Sequence, residues 1–140
     1  MTVIPPIAAV TGDHRVGSFW YRLTDGERAE LANVARSRRY AMGAVLIRAA
    51  ALDQWSVILY SGRVRVLGAD RVRPIAERWA GDIVGEQALL DNGARSSTVR
   101  AETAVHALMI GRRDFDAVVE RQPRIMRVLG AVVSERLREA

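Results

Sequence analysis

Residues 81–101, GDIVGEQALLDNGARSSTVRA, carry the pattern on which the reading of the whole chain turns. One acid, Glu86, and one arginine, Arg95, flank a short apolar, helix-like segment. Gly85 removes a side chain where a ligand can approach backbone, and the Glu86 carboxylate can accept hydrogen bonds from a sugar hydroxyl. Gln87 follows, and Ala88, Leu89 and Leu90 are expected to anchor a helical turn whose free N–H groups face an anion. Arg95 offers a planar fork that matches phosphate oxygens. After it come the small hydroxyls of Ser96, Ser97 and Thr98, and a strand begins near Val99. The stretch predicts a pocket for a small phosphorylated ligand.

These residues resemble the phosphate-binding cassette of cyclic nucleotide-binding domains, a Gly-Glu-Leu-Ala-Leu run followed by Pro-Arg-Ser/Ala-Ala-Thr-Val. Gly85 to Leu89 and Ala94 to Val99 stand at the matching positions. The resemblance implies that Glu86 holds the ribose 2′-hydroxyl and Arg95 the cyclic phosphate, with Ser96 and backbone N–H groups helping. It extends to roughly residues 18–140, because SFWYRLTDGERAELANVARSRRYAMGAVL is similar to the family's N-terminal helix and first strand, and VILYSGRVRVL to its central hairpin. Among branches of the family, the bacterial Crp/Fnr regulators are the most similar. Gln87 replaces the usual leucine, Ala94 the usual proline and Ser97 the usual alanine, and none of these removes the acid or the arginine. A familiar Gly-Asp turn before the hairpin appears as Ala50-Ala51, so that loop is expected to take another shape.

Outward from the cassette, Thr24-Asp25-Gly26-Glu27 is a capping box that starts a helix running to about Ser37, with Leu31, Val34 and Ala35 on its buried face. Tyr40 to Ile47 turns toward strand around Gly43. Val57 to Tyr60, the Ser61-Gly62 break and the alternation Arg63 to Val66 read as a hairpin. Gly68-Ala69-Asp70 turns the chain into a strand over Arg71 to Ala76, and further strands are expected over Thr98 to Glu102 and Ala104 to Ile110. A short helix over Arg112 to Arg121 precedes Pro123 and a last helix from about Arg124 to Glu139. Short strands between turn signals, with helices at the two ends, predict a mainly β fold, a jelly-roll or β-roll flanked by an N-terminal helix and C-terminal helices. No βαβ alternation points to a doubly wound sheet.

The chain has 140 residues, enough for one domain with one core. Residues 1–17 read as an N-terminal arm and 18–140 as the ligand-binding domain. Within it, 124–140 form the C-terminal helix. One stripe of that helix holds Ile125, Val128 and Val132, and another Met126, Leu129, Val133 and Leu137. Both can pack on the roll, or one can pair with a second subunit where Gly130 permits close approach, and the resemblance favours the homodimer. The chain ends about where the family places its first base-contacting position and lacks a helix-turn-helix. The expectation is therefore either a sensory domain of a longer regulator or a stand-alone module with a protein partner.

The net charge of +5 arises from arginine alone, since the sequence contains no lysine. Those arginines are scattered, so direct DNA binding by this chain alone is not expected. No apolar run reaches the ~20 residues of a membrane span, and the N-terminus has no basic signal region. A cytoplasmic setting without disulfides follows, there being no cysteine. His14 and His106 form no metal-ligand pattern, and no nucleophile elbow or P-loop is present, so neither a metal nor an enzymatic activity is expected. Trp20, Trp55 and Trp79 are read as core or rim. The functional expectation is a cyclic nucleotide sensor, cAMP first and cGMP as the other candidate. Its alternative is a ligand-independent dimerisation module that keeps the β-roll as a scaffold.

Overall fold

The computed structural model describes residues 18–51, 53–68, 73–91, 93, 95 and 97–139. A 3-10 turn at Trp20–Arg22 leads into α1 (Asp25–Val34). The predicted capping box starts it: the Glu27 N–H donates to Thr24 Oγ1 at 3.1 Å, and the Thr24 N–H donates to Glu27 Oε1 at 2.8 Å. α1 ends at Val34, three residues before the expected end near Ser37. Ala35 is already extended, and β1 (Arg36–Tyr40) pairs antiparallel with β8 (Val105–Gly111). Ladder pairing thus overrides local helix preference across Arg36 and Ser37.

The remaining strands are β2 (Val45–Ile47), β3 (Trp55–Ser61), β4 (Arg63–Leu67), β5 (Pro74–Trp79), β6 (Ile83–Val84) and β7 (Thr98–Ala101). They form two antiparallel four-stranded sheets, ordered β1-β8-β3-β6 and β2-β7-β4-β5. The expected β3–β4 hairpin is therefore a corner. β3 pairs with β6 and β8, whereas β4 pairs with β5 and β7. Gly62 makes the corner at φ 93°, where a Cβ would stand 2.3 Å from the Ala104 carbonyl oxygen. The Gly68 to Asp70 turn and the start of the strand expected from Arg71 fall on 69–72, outside the described residues; β5 itself begins at Pro74.

The alternation along β3 divides the core. Val57 and Leu59 face between the sheets with Val64, Val99, Val105 and Ala107, while Ile58 and Tyr60 face outward with Leu108 and Ile110. Against that outer face lie α2 (Arg112–Arg121), through Phe115 and Val118, and α3 (Arg124–Glu139). Each fully buried aliphatic or aromatic side chain contributes about 1.5–3 kcal/mol. In α3, Ile125, Val128, Leu129 and Val132 are buried, and Met126 and Val133 are half-buried against the same cluster. Both apolar stripes of α3 thus lie on the roll, apart from Leu137 at its end, which is 71% exposed. Trp20 is buried in the core, as expected. Among the described residues β1 is an edge strand in its sheet, with Arg36, Ser37, Arg38 and Arg39 exposed.

Ion pairs tie the helices into this body. Arg124 Nη1 lies 2.5 Å from Glu27, Arg121 Nε 2.5 Å from Glu30, and Arg22 Nη2 2.6 Å from Glu135. Among the described residues no helix is long and apolar enough to cross a membrane.

Candidate functional site

β6 ends at Val84, and Gly85, at φ 71° and ψ 24°, turns the chain into a 3-10 helix over Glu86–Leu89. The left-handed backbone is one reason for glycine there, and space is the other. A Cβ would stand 2.7 Å from Ile47 Cδ1 and 3.0 Å from Arg95 Nη1. Ala88 and Leu89 are buried and fix the turn, whereas Leu90, expected to help anchor it, is 44% exposed.

Arg95 is buried beneath this turn. Its Nη1 donates to the Gly85 carbonyl at 3.0 Å, and its Nη2 donates to Asp53 Oδ1 at 2.6 Å and to the Trp55 carbonyl. The Arg95 side chain is 4% exposed and that of Asp53 44%, so the pair sits where the interior meets solvent. Nε is buried with no hydrogen-bond partner among the described residues. A buried donor left unpaired costs about 1–3 kcal/mol. The backbone of Arg95 is fixed as well: the Ala50 N–H donates to its carbonyl at 2.7 Å, and its N–H donates to the Ala51 carbonyl at 2.8 Å. Ala50 adopts φ 70°, so alanine at this position still makes a left-handed turn, and the loop remains joined to Arg95.

These groups converge on a cavity of about 580 Å³. Of the residues predicted from sequence, Gly85, Glu86, Gln87, Arg95 and Ser97 line it, and Ala88 and Thr98 do not. Thr98 is buried, and its Oγ1 accepts from the Ala49 N–H at 3.0 Å, a contact that ties β7 to the Ala50 loop. Ser96 and Ala94 lie outside the described residues. The apolar wall comes from the roll through Ile47, Val66, Ile75, Ala76, Val84 and Val99, and from α3 through Val133 and Leu137. Arg78 and Arg136 add two further guanidinium groups to the lining. Three arginines and one carboxylate around an apolar chamber suit a ligand with a flat apolar part, a hydroxyl and an anionic end.

Glu86 is engaged from across the cavity. Arg136 Nη1 of α3 lies 3.1 Å from Glu86 Oε1, with the two side chains 15% and 19% exposed. The sequence reading found Glu86 and Arg95 but missed Asp53, Arg78 and Arg136, which reach the site from other elements. Only Arg136 left a signal, sharing a helical face with Val133 and Leu137 at i+3 and i+4 spacing.

Away from this site, Trp55 offers its carbonyl to Arg95, while its indole stacks under Arg36, 5.5 Å from guanidinium carbon to ring centroid. His106 is a hydrogen-bonded sheet residue, as expected, contacting Ser37 Oγ and standing edge-on to Tyr60 at 4.8 Å. Burial, helped by the charge of Arg39, pushes its pKa down. His14 lies outside the described residues, and among those described no cluster of His, Asp or Glu could hold a metal.

Comparison with known proteins agrees with this geometry. The pattern of the cyclic nucleotide-binding domain matches residues 37–122. The cyclic AMP receptor protein of Thermus thermophilus is 33% identical over 119 residues, covering 81% of this chain and 55% of that protein. A cAMP-dependent protein kinase regulatory subunit of Aspergillus fumigatus is 32% identical over 101 residues, covering 72% of this chain and 24% of that protein. The crystal structure of the Thermus thermophilus catabolite activator protein superposes with a TM-score of 0.78 at 28% identity, over 86% of this chain and 58% of that one. The chain thus spans about half the length of the receptor protein and a quarter of the kinase subunit. The matched region is a ligand-binding module rather than a catalytic one. With its two-sheet roll, its flanking helices and a sequence match across most of its length, the chain belongs to the cyclic nucleotide-binding domain family, in its Crp/Fnr-like form.

Proposed function

We propose that this chain is a sensory domain that binds cAMP and passes the binding event on through its C-terminal helices. The observation that carries the reading is Arg95. Its guanidinium is buried, oriented by Gly85, Trp55 and Asp53, and keeps an unpaired Nε beside a cavity whose other polar wall is Glu86. Arg95 would take the cyclic phosphate and Glu86 the ribose hydroxyl. Gly85, Gln87, Ser96 and Ser97 would complete the polar shell, Ala88 would hold the turn, and Thr98 would set the strand behind it. A charged hydrogen bond contributes roughly 1.5–3 kcal/mol. Two such contacts fall short of the ~8 kcal/mol of a micromolar complex. Contact of the purine with Val133, Leu137 and the roll's apolar residues would supply the rest.

The test is calorimetric titration of the chain with cAMP and then cGMP. Saturable one-to-one binding is expected, with the affinity ratio fixing the preferred base. Arg95→Ala is expected to weaken binding about 10-fold to 100-fold. Arg95→Lys, which keeps the charge but loses the fork, should fall between the two. Wild-type affinity in the alanine variant would sink the reading.

A second reading has one observation in its favour. Both charges of the cassette already have partners within the chain, Asp53 for Arg95 and Arg136 for Glu86. A ligand-independent interaction module would look the same, and it predicts no heat and no change in melting temperature with either nucleotide. In both readings the chain works in the cytoplasm as a homodimer through α3, whose outward face carries Arg127, Gly130, Ala131 and Ser134. A strictly monomeric mass in solution, with and without ligand, would remove the dimer. The signal would pass to the rest of a transcription regulator or to a separate protein partner, without direct DNA contact by this chain alone.

A further inference from the structure

A second cavity, of about 330 Å³, spans β1, β8 and β3 and is lined by Arg36, Ser37, Arg38, Trp55 and Met109. It shares no lining residue with the cavity of Glu86 and Arg95. Its size falls within the roughly 300–1,000 Å³ of small-molecule sites. We propose that it is a second ligand site, for a small aryl anion: a flat aromatic ring carrying one carboxylate or phosphate group.

The site is built by the alternation of β1. Arg36 and Arg38 fall on the same side as Tyr40, which is buried between the sheets, and Arg39 falls on the other, across from His106. On the shared side Met109 stands opposite Arg36, and Trp55 follows on β3. Both guanidinium groups lie over rings, Arg36 at 5.5 Å from the Trp55 centroid and Arg38 at 4.9 Å from that of Tyr40. The rings are held in turn. The Tyr40 hydroxyl donates to Met109 Sδ at 3.4 Å, and the Trp55 carbonyl accepts from Arg95. Two cations are thus positioned at the cavity before any ligand arrives, which lowers the ordering cost of binding.

What these cations lack is a counter-charge. Among the described residues no acid lines the cavity, and neither arginine takes part in an ion pair, whereas Arg22, Arg121 and Arg124 each hold a glutamate. The Ser37 hydroxyl is already engaged by His106, so the acceptor must come from outside. Guanidinium forks match the paired oxygens of a carboxylate or phosphate. The indole and thioether beside them suit an aromatic ring. An inorganic anion would use the charges alone, and a neutral arene only the apolar lining.

The experiment titrates the chain calorimetrically with 1-naphthoate and 1-naphthyl phosphate, and with inorganic phosphate and 1-naphthalenemethanol as the separate halves of such a ligand. Saturable one-to-one binding of an aryl anion is expected, with a Kd on the order of 0.1 mM. Each half should bind at least about tenfold more weakly. The carboxylate and phosphate arms decide which head group the arginines prefer. Arg36→Gln and Arg38→Gln should each weaken the tighter aryl anion about tenfold at an unchanged melting temperature. Arg39→Gln removes the same charge from the opposite face and should leave the affinity unchanged. The indole N–H resonance of Trp55, identified by its loss in Trp55→Phe, should shift on binding. Binding of neither aryl anion, unchanged affinity in Arg36→Gln and Arg38→Gln, or an equal loss in Arg39→Gln would each overturn the site.

Discussion

Ala50 is the non-glycine residue with a positive φ among those described, and it holds that strain at the loop that grips Arg95. Left-handed backbone costs an L-residue roughly 1–2 kcal/mol, and glycine avoids it while losing about 0.5–1 kcal/mol to its freer unfolded chain. Ala50→Gly is therefore expected to stabilise the protein slightly, raising the melting temperature by about 1–2 °C in a calorimetric scan. A drop of similar size would mean that the turn relaxes in solution. Glu86 and Arg95 were legible in the sequence because cassette residues adjoin one another. Asp53 and Arg136 were not, because each stands far along the chain from its partner and an isolated acid or arginine carries no local pattern. Thr98 differs again: a hydroxyl beside a phosphate-like motif carries no mark of its partner, and in the fold its Oγ1 accepts from the Ala49 N–H.

Among the elements, α1 was the easiest to read, since a capping box is a purely local arrangement. Removing half of it by Thr24→Ala is expected to cost about 1 kcal/mol. Denaturant titration would register this as a lower midpoint with an unchanged slope. The midpoint staying put would mean that the Glu27–Arg124 ion pair alone fixes the helix start. The β3–β4 segment was the hardest element. Two alternating runs around Ser61-Gly62 look alike whether the strands pair or part, because alternation reports which face is buried and says nothing about the neighbour. The carbonyl of Ala104, far along the chain, is what makes Gly62 a corner. The last helix was read correctly in extent and in its two stripes. Which surface each stripe covers is a tertiary fact, and the roll takes both.

Across the whole molecule, the carboxylates that join the N-terminal part to the C-terminal helices make its stability depend on pH. Hydrogen bonds from Arg121 and Gln122 lower the pKa of Glu30 below its ordinary 4.5, and the hydrogen bond from Arg22 does the same for Glu135. Carboxyls with depressed folded values stabilise the fold above the ordinary range, and that contribution is lost as pH falls through the folded values. His106 follows the same sign in a higher window: its pKa is lowered from 6.5 mainly by burial, so the unfolded chain takes up its proton first. A pH series of thermal melts is expected to show one decline as pH drops through about 6.5 and a second below about 4.5. His106→Gln should flatten the first decline alone. A melting temperature constant from pH 7.5 to 5 would rule out the half-buried, neutral imidazole.

The arginines of β1 bear on how copies of the protein meet. An open sheet edge offers a row of backbone donors and acceptors to any extended strand, including the same strand of another molecule. Two β1 edges brought together would set guanidinium against guanidinium along their length, so charge, with no covering segment needed, bars this edge from zipping copies into fibrils. That bar weakens as salt shortens the reach of the charges. The β1 arginines would thus set the concentration and ionic strength at which the domain stays dispersed.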